Sequence, residues 1–540
     1  MEGLQLILVI VGAIVVTAYA HRRDLQPPLV ITVVGLAASF VPGVSGFQLD
    51  SDIILGVVLP PLLYSAAQGF ALPSFIRQLR AILVLGVGLV IATAFAVAGV
   101  GALAVGGLTF STALVLGAVV APPDAVSAVA IGRSLGLRRR VLSVLTGESL
   151  VNDAAALTLF TVAVASITGE HTLVDSPVLL FLYSAAVGIA SGVALAIVAL
   201  NVRRHLRNAG LETVLGLVVP FAAYLLAESL EASGVLAVVA AGFLVGTLSV
   251  RFDYETRLQE RNVWAALDVL LEAFVFAYMG LQLRFVVADL TSWSVLGGGL
   301  LVLATVLLIR PLVLFLTLGA GLVVEDRPDD PGVVRMTRRL AEINERLAAR
   351  GRRPARPAQP LTWREALVIS WTGMRGVVTV AAAAAVPAAL PGRPEIQAIA
   401  YLVAVATLVL QGATLPWLIA RLNVRDPAED RVVEAQQRDV AAAAREAATG
   451  VMKAFADDPP PGVSADFIRR ASERQEVAVA ERAALGTAMG QLTRDVIAAQ
   501  RQAIIGGLRD GTLDADAVRE YLEQLDYQEA ALASRLGGRL

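Results

Sequence analysis

The chain contains no cysteine. Disulfides, thiolate metal sites and cysteine nucleophiles are therefore excluded. Histidine is almost as scarce: His21, His171 and His205 are the only three, all in loops or at the ends of apolar runs. That leaves nothing from which to build a histidine metal cluster or a Ser-His-Asp triad. The basic residues are almost all Arg, and a net charge of −2 gives no basic surface for nucleic acid. What the chain has in abundance is apolar sequence. Of its 540 residues, 56% are hydrophobic, and the mean hydropathy is +0.69, which sets it apart from ordinary soluble proteins. The first apolar run, Leu4–Ala20, follows Met1-Glu2 without a positive leader and precedes His21-Arg22-Arg23. It reads as a first membrane span with its N-terminus outside, not as a cleavable signal.

Apolar runs long enough to span recur near 3–20, 27–43, 52–70, 81–105, 110–132, 141–167, 177–200, 211–227, 234–250, 264–283, 294–323, 362–390 and 396–420. Alternating the loops from an outside N-terminus places Arg22, Arg23, Arg77, Arg80, Arg133, Arg138, Arg139, Arg140, Arg203, Arg204, Arg207, Arg251, Arg257 and Arg261 inside. Only Arg284 and Arg393 fall outside. This separation obeys the positive-inside rule and favours thirteen spans with a cytoplasmic C-terminus. The fold expected is an all-α polytopic membrane protein followed by a helical cytoplasmic tail. The tail is charged and Ala-rich, broken at Asp457-Asp458-Pro459-Pro460-Pro461, with its clearest helical periodicity at 513–536. The segment 324–362 reads as an Arg-rich cytoplasmic loop with a short helix near 334–350.

The polar residues inside the apolar runs carry the function. Each Asp or Glu at the bilayer centre costs about 2.5–3.5 kcal/mol on insertion scales, so it needs a task. The sixth run holds Gly147-Glu148-Ser149-Leu150-Val151-Asn152-Asp153. Helical spacing stacks Glu148 on Asn152 and Ser149 on Asp153, as two adjacent stripes. Arg310-Pro311 lies mid-way along the eleventh run, and a buried Arg requires an anion. Glu148 is the natural partner, with the Asn152 amide oxygen accepting a further bond. In the fifth run, Ala121-Pro122-Pro123-Asp124 breaks the helix, and Asp124 is placed to offset the N-terminal end of the following half-helix. In the twelfth run, Thr372-Gly373-Met374-Arg375-Gly376 reads as a second break, with Arg375 neutralising half-helix carbonyls. The two breaks lie seven spans apart, an odd offset that inverts the topology, so spans 1–6 would mirror spans 8–13. Glu272, Asp268 and Glu228 read first as packing or funnel-rim charges, and Ser65 as a packing residue.

Together these residues resemble the monovalent cation:proton antiporters of the NhaP and sodium/proton exchanger type, in the electroneutral branch. The sixth-run motif carries most of the resemblance. The Asp124 break, Arg310-Pro311, Gly373-Met374-Arg375-Gly376 and Gln411-Gly412 add to it, over about residues 1–421. The resemblance implies that Asp153 carries Na⁺ or H⁺, with Asp124, Ser149 and a backbone carbonyl near Pro123 completing the site. Glu148, Asn152 and Arg310 would form a structural cluster, with Arg375, Gly373, Gly376 and Glu272 behind them. It also implies one-for-one electroneutral exchange, a homodimer, no cofactor and no enzymatic reaction. Interface helices would lie in 1–75 and 209–288, core helices in 76–168 and 289–424, a linker helix in 169–208 and the tail in 425–540. The chain departs from many relatives at the first break, where Pro-Pro-Asp-Ala replaces Thr-Asp-Pro.

Na⁺ for H⁺ exchange by alternating access is thus the expected function, with Li⁺ as a second cargo. The membrane expected is a cell membrane, of the bacterial inner-membrane kind. K⁺/H⁺ exchange on the same fold is the nearest alternative, and a passive cation channel is a more distant one. An aspartyl protease using Asp124 and Asp153 as a dyad is remoter still, because the sequence contexts of such enzymes surround neither residue.

Overall fold

The structure is a computed structural model that describes residues 2–23, 25–41, 54–69, 78–124, 128–129, 132, 135–137, 139–169, 176–206, 208–249, 252–289, 293–319, 362–424, 427–457 and 479–537. Among them the chain is all-helical. The expected loop helix near 334–350 and the proline break at 458–461 lie outside the described residues. The chain falls into two compact units: Met1–Thr247, Glu260–Asp326 and Ala358–Arg425 form one, and Leu248–Gln259, Arg327–Pro357 and Asp426–Leu540 the other.

In hydrocarbon, every backbone N–H and C=O must be bonded within the protein, and helices satisfy that requirement locally. Each apolar run accordingly carries helix. In the first unit α1 is Glu2–Arg22, α2 is Pro27–Ala38 and α3 is Leu59–Gln68. Leu79–Leu83 (α4) and a π-helical turn at Val84–Gly88 lead into α5, Leu89–Ala104. Then follow α6 (Phe110–Val120), α7 (Arg139–Thr168), α8 (Pro177–Leu206), α9 (Ala209–Ser229) and α10 (Gly234–Leu248). The long helix α11 is Tyr254–Asp289, α12 is Trp293–Gly319, α13 is Trp363–Trp371, α14 is Val377–Ala384 and α15 is Arg393–Leu422. Among the described residues, eight helices are long and apolar enough to cross a membrane.

Two of the runs are interrupted, and local chemistry explains both. Helix α6 starts on a capping box in which the Thr109 N–H donates to Thr112 Oγ1 at 2.9 Å and the Thr112 N–H to Thr109 Oγ1 at 3.3 Å. It stops at Val120, just before Pro122 and Pro123, whose rings lack N–H groups and clash with a preceding helical turn. Helix α13 starts on a second capping box, where the Thr362 N–H donates to Glu365 Oε2 at 2.7 Å. Its run is then broken from Thr372 to Gly376 before α14 begins.

Burial from water cannot draw helices together in lipid, so close contact must do it. Helices α5 and α6 approach so tightly that a Cβ on Gly117 would lie 2.2 Å from the Ala94 carbonyl oxygen. Leu85, Leu89, Val144, Leu145, Leu314 and Ile369 form a core cluster joining α5, α7, α12 and α13. Leu314 is one turn beyond Arg310, and Val144 is one turn before Glu148. The cluster therefore sets α12 against α7 at the depth where these two charges meet.

The second unit is held by an apolar seam between α16 (Pro427–Asp457), α17 (Val479–Arg509) and α18 (Ala515–Gly537). Val440 and Ala444, Ile504, and Ala517, Val518, Leu522 and Leu525 supply it at helical spacing. Within this unit the Asp526 carboxylate is fully buried and bridges Arg257 and Arg501. Arg501 also donates to Glu529 at 2.7 Å.

The helix contacts generate a paired test. Gly117→Ala should lower the melting temperature of the purified protein, at a cost of about 1–3 kcal/mol from overpacking. Gly99→Ala, whose Cβ would meet nothing within 4 Å, should leave it unchanged or raised.

Candidate functional site

The site is built where the two interruptions cross. A non-helical stretch leaves carbonyls without helical donors, and Arg375 supplies them. Its Nε donates to the Val120 carbonyl at 2.9 Å and its Nη2 to the Ala121 carbonyl at 3.3 Å, while Nη1 bonds the Gly373 carbonyl. Val120 and Ala121 are the end of α6, so a guanidinium from one break satisfies the carbonyl end of the other. The Arg375 N–H donates in turn to Thr407 Oγ1 of α15 at 3.0 Å. The exchange is mutual, because the Asp124 N–H donates to the Met374 carbonyl at 2.6 Å.

Gly376 is the N-cap of α14 and has no side chain to offer its first turn. The Asp124 carboxylate takes that place: a Cβ built on Gly376 would lie 1.9 Å from Asp124 Oδ2. The sequence places Asp124 at the start of the half-helix that follows it. Residues 125–127 of that half-helix lie outside the described residues. The structure sets the carboxylate at the start of α14, in the other broken run. An acid there complements the positive end of a helix.

Beside Gly373, Arg310 and Glu148 form a forked pair. Nη1 to Oε1 is 2.5 Å and Nη2 to Oε2 is 2.9 Å, with only 3% and 1% of the two residues exposed. Arg310 Nε donates to the Ile369 carbonyl at 3.0 Å, tying α7, α12 and α13 together. Two parallel bonds between a guanidinium and a carboxylate fix orientation as well as charge. Gly373 leaves room for this arrangement, since a Cβ on it would stand 3.0 Å from Arg310 Cδ.

Asn152 differs from the sequence expectation. Its amide oxygen takes no bond from Arg310 and has no partner, although the residue is fully buried. Instead its Nδ2 donates to the Pro123 carbonyl at 3.0 Å. The proline break explains the reversal. It exposes a carbonyl at the level of Asn152, and an amide turned the other way would set oxygen against oxygen.

Asp153 is buried on α7, within electrostatic range of Asp124 and Glu148. Ser149 lies one turn before it, half-buried. Glu272 on α11 is half-buried and within electrostatic range of Asp124 and of Asp268. Asp268 accepts a hydrogen bond from Ser65 of α3 at 2.7 Å, a pairing that the sequence did not reveal. The two polar residues lie on runs about 200 residues apart, and no local spacing links them. Among the described residues no group of three or more His, Cys, Asp or Glu could hold a metal ion. Carboxylates and neutral oxygens are the donor types that hard cations and protons take.

A family model described as "Sodium/hydrogen exchanger, transmembrane" matches residues 7–421 of the chain. An uncharacterized Na⁺/H⁺ exchanger of Mycobacterium tuberculosis is 30% identical, covering 98% of this chain and 96% of its own length. The Na⁺/H⁺ antiporter ApNhaP of Aphanothece halophytica is 27% identical over 74% of this chain and 70% of its own. The structure of the sodium proton antiporter MjNhaP1 from Methanocaldococcus jannaschii superposes with a TM-score of 0.58 at 18% identity, covering 78% of this chain and 99% of that one.

The forked pair can be tested by stability. Glu148→Gln strands a buried guanidinium and should cost about 3–5 kcal/mol. The readout is the melting temperature of the purified protein, which should fall well below the wild-type value.

Proposed function

The chain belongs to the sodium/hydrogen exchanger family, and on that premise we propose that it exchanges Na⁺ for H⁺ one for one, with Asp153 as the carrier. The observation that carries this reading is a division of labour between neighbouring acids. Arg310 neutralises Glu148 and bonds both of its oxygens. Asp153 is buried four residues beyond Ser149 on the same helix, within electrostatic range of Asp124, which sits where the two broken runs meet. One acid is scaffold, and the other remains for cargo.

The physical argument runs through charge. An anion held in a low-dielectric site is stabilised by binding a cation. H⁺ and Na⁺ compete for the same carboxylate, and neither can leave until the other, or solvent, replaces it. Na⁺ is a hard cation that takes oxygen ligands. The Asp153 and Asp124 carboxylates, the Ser149 hydroxyl and the Pro123 carbonyl are the set we assign. The Asn152 amide holds that carbonyl by one lone pair and leaves the second for an ion. If the core moves only when Asp153 is neutralised, the empty charged state cannot cross, and exchange is obligatory without any chemical energy source.

The same reading divides the first unit into interface helices at 1–75 and 209–288 and a moving core at 76–168 and 289–424, joined by 169–208. Two chains would pair through the interface helices, with the N-terminus outside and residues 425–540 in the cytoplasm.

Two measurements test these assignments. Proteoliposomes carrying the wild-type protein should show Na⁺-driven proton flux that an imposed membrane potential leaves unchanged, with Li⁺ and K⁺ compared in parallel. Asp153→Asn should abolish the flux while its melting temperature stays near the wild-type value; persistent flux in that variant would reject Asp153 as carrier. Orientation is accessible because the chain has no cysteine of its own. Ala388→Cys should react with an impermeant maleimide applied outside intact cells, and Ala435→Cys only after permeabilisation.

A further inference from the structure

We propose that the Thr379 hydroxyl is a further oxygen ligand for the transported cation, set opposite Asp124 at the start of α14. The inference rests on the antiport reading and deepens it. Thr379 is the third residue of α14, whose N-cap is Gly376. The N-cap side-chain position and the third helical residue are neighbours, as capping boxes show. This chain contains its own example, since Thr109 Oγ1 and Thr112 Oγ1 stand 3.2 Å apart in that relation. At α14 the N-cap side chain is missing, and the Asp124 carboxylate fills its position. The geometry of the cap therefore directs the face bearing Thr379 towards Asp124.

The hydroxyl itself points to a ligand. Thr379 is 1% exposed, and its Oγ1 has no hydrogen-bond partner. Other buried helical threonines of this chain do not behave so. Thr93, Thr158 and Thr407 each donate to the carbonyl four residues back. The residue four back from Thr379 is Arg375, which precedes the helix and presents no helical carbonyl to it. The hydroxyl is thus released from the bond that usually occupies it, and it bonds neither its own helix nor Asp124. A buried polar group left this way calls for an occupant. A carboxylate on one side and a neutral hydroxyl on the other suit a dehydrated alkali cation between them, because such ions are held by several oxygens at once. The hydroxyl comes from the second broken run and Asp124 from the first, so the cation would join the two.

The experiment measures Na⁺ and Li⁺ dependence of proton flux in proteoliposomes. Thr379→Val keeps the shape and removes the oxygen. It should raise the apparent KM for Na⁺ about tenfold, the equivalent of one bond to a charged group, while the maximal rate is kept. Thr379→Ser should restore the wild-type KM, which a merely structural role for the side chain would not require. A Thr379→Val protein with wild-type KM for both ions would overturn the assignment. If Thr379→Val does not assemble, Thr379→Ala carries the same test, and a wild-type KM in it overturns the proposal equally. Wild-type vesicles without Na⁺-driven proton flux would instead defeat the antiport reading itself.

Discussion

The rest of the membrane unit depends on the mutual satisfaction of two broken helices. Each break opens unpaired backbone groups in a medium that cannot solvate them. Arg375 closes the carbonyl end of α6, the Met374 carbonyl takes the Asp124 N–H, and the Asp124 carboxylate occupies the cap of α14. Neither break could exist alone at that depth. Together they bring Asp124, Arg375 and the ends of α6 and α14 to one place. The crossing is thus one solution to two backbone problems, reached in two places that meet.

Charge is handled by the same logic of pairing. Glu148 and Arg310 neutralise one another through two parallel bonds, and the Ile369 carbonyl absorbs a third donor. Asp153, buried on the same helix, lies within electrostatic range of Asp124 and of Glu148. The arrangement sets the helix-holding Glu148 apart from Asp153, the acid proposed as carrier, although both belong to one short stretch of α7.

Much of this was legible in the sequence, for identifiable reasons. Prolines at 122 and 123 and glycines at 373 and 376 mark backbone breaks wherever they interrupt an apolar run. An Arg at position 310 demands an anion, and Glu148 was the acid at the right depth. Other features were hidden because they depend on contacts far apart in sequence. Nothing around Asn152 reveals that the Pro123 carbonyl will reach it, so the amide could be placed but not oriented. The approach of Asp124 to Gly376 links residues more than 250 positions apart. Thr379 sits in Val377-Val378-Thr379-Val380, where it looks like any helical threonine; only the cap one turn earlier makes its hydroxyl unusual.

The placement of Asp124 also limits how such a chain can diversify. The carboxylate lies within electrostatic range of Asp153 and is also the cap that begins a helix of the other broken run. A lineage that altered this acid would disturb where α14 starts, and with it the crossing of the two broken runs. Evolutionary latitude must therefore lie in the neutral oxygens around the carboxylates, which can be exchanged without unmaking the crossing.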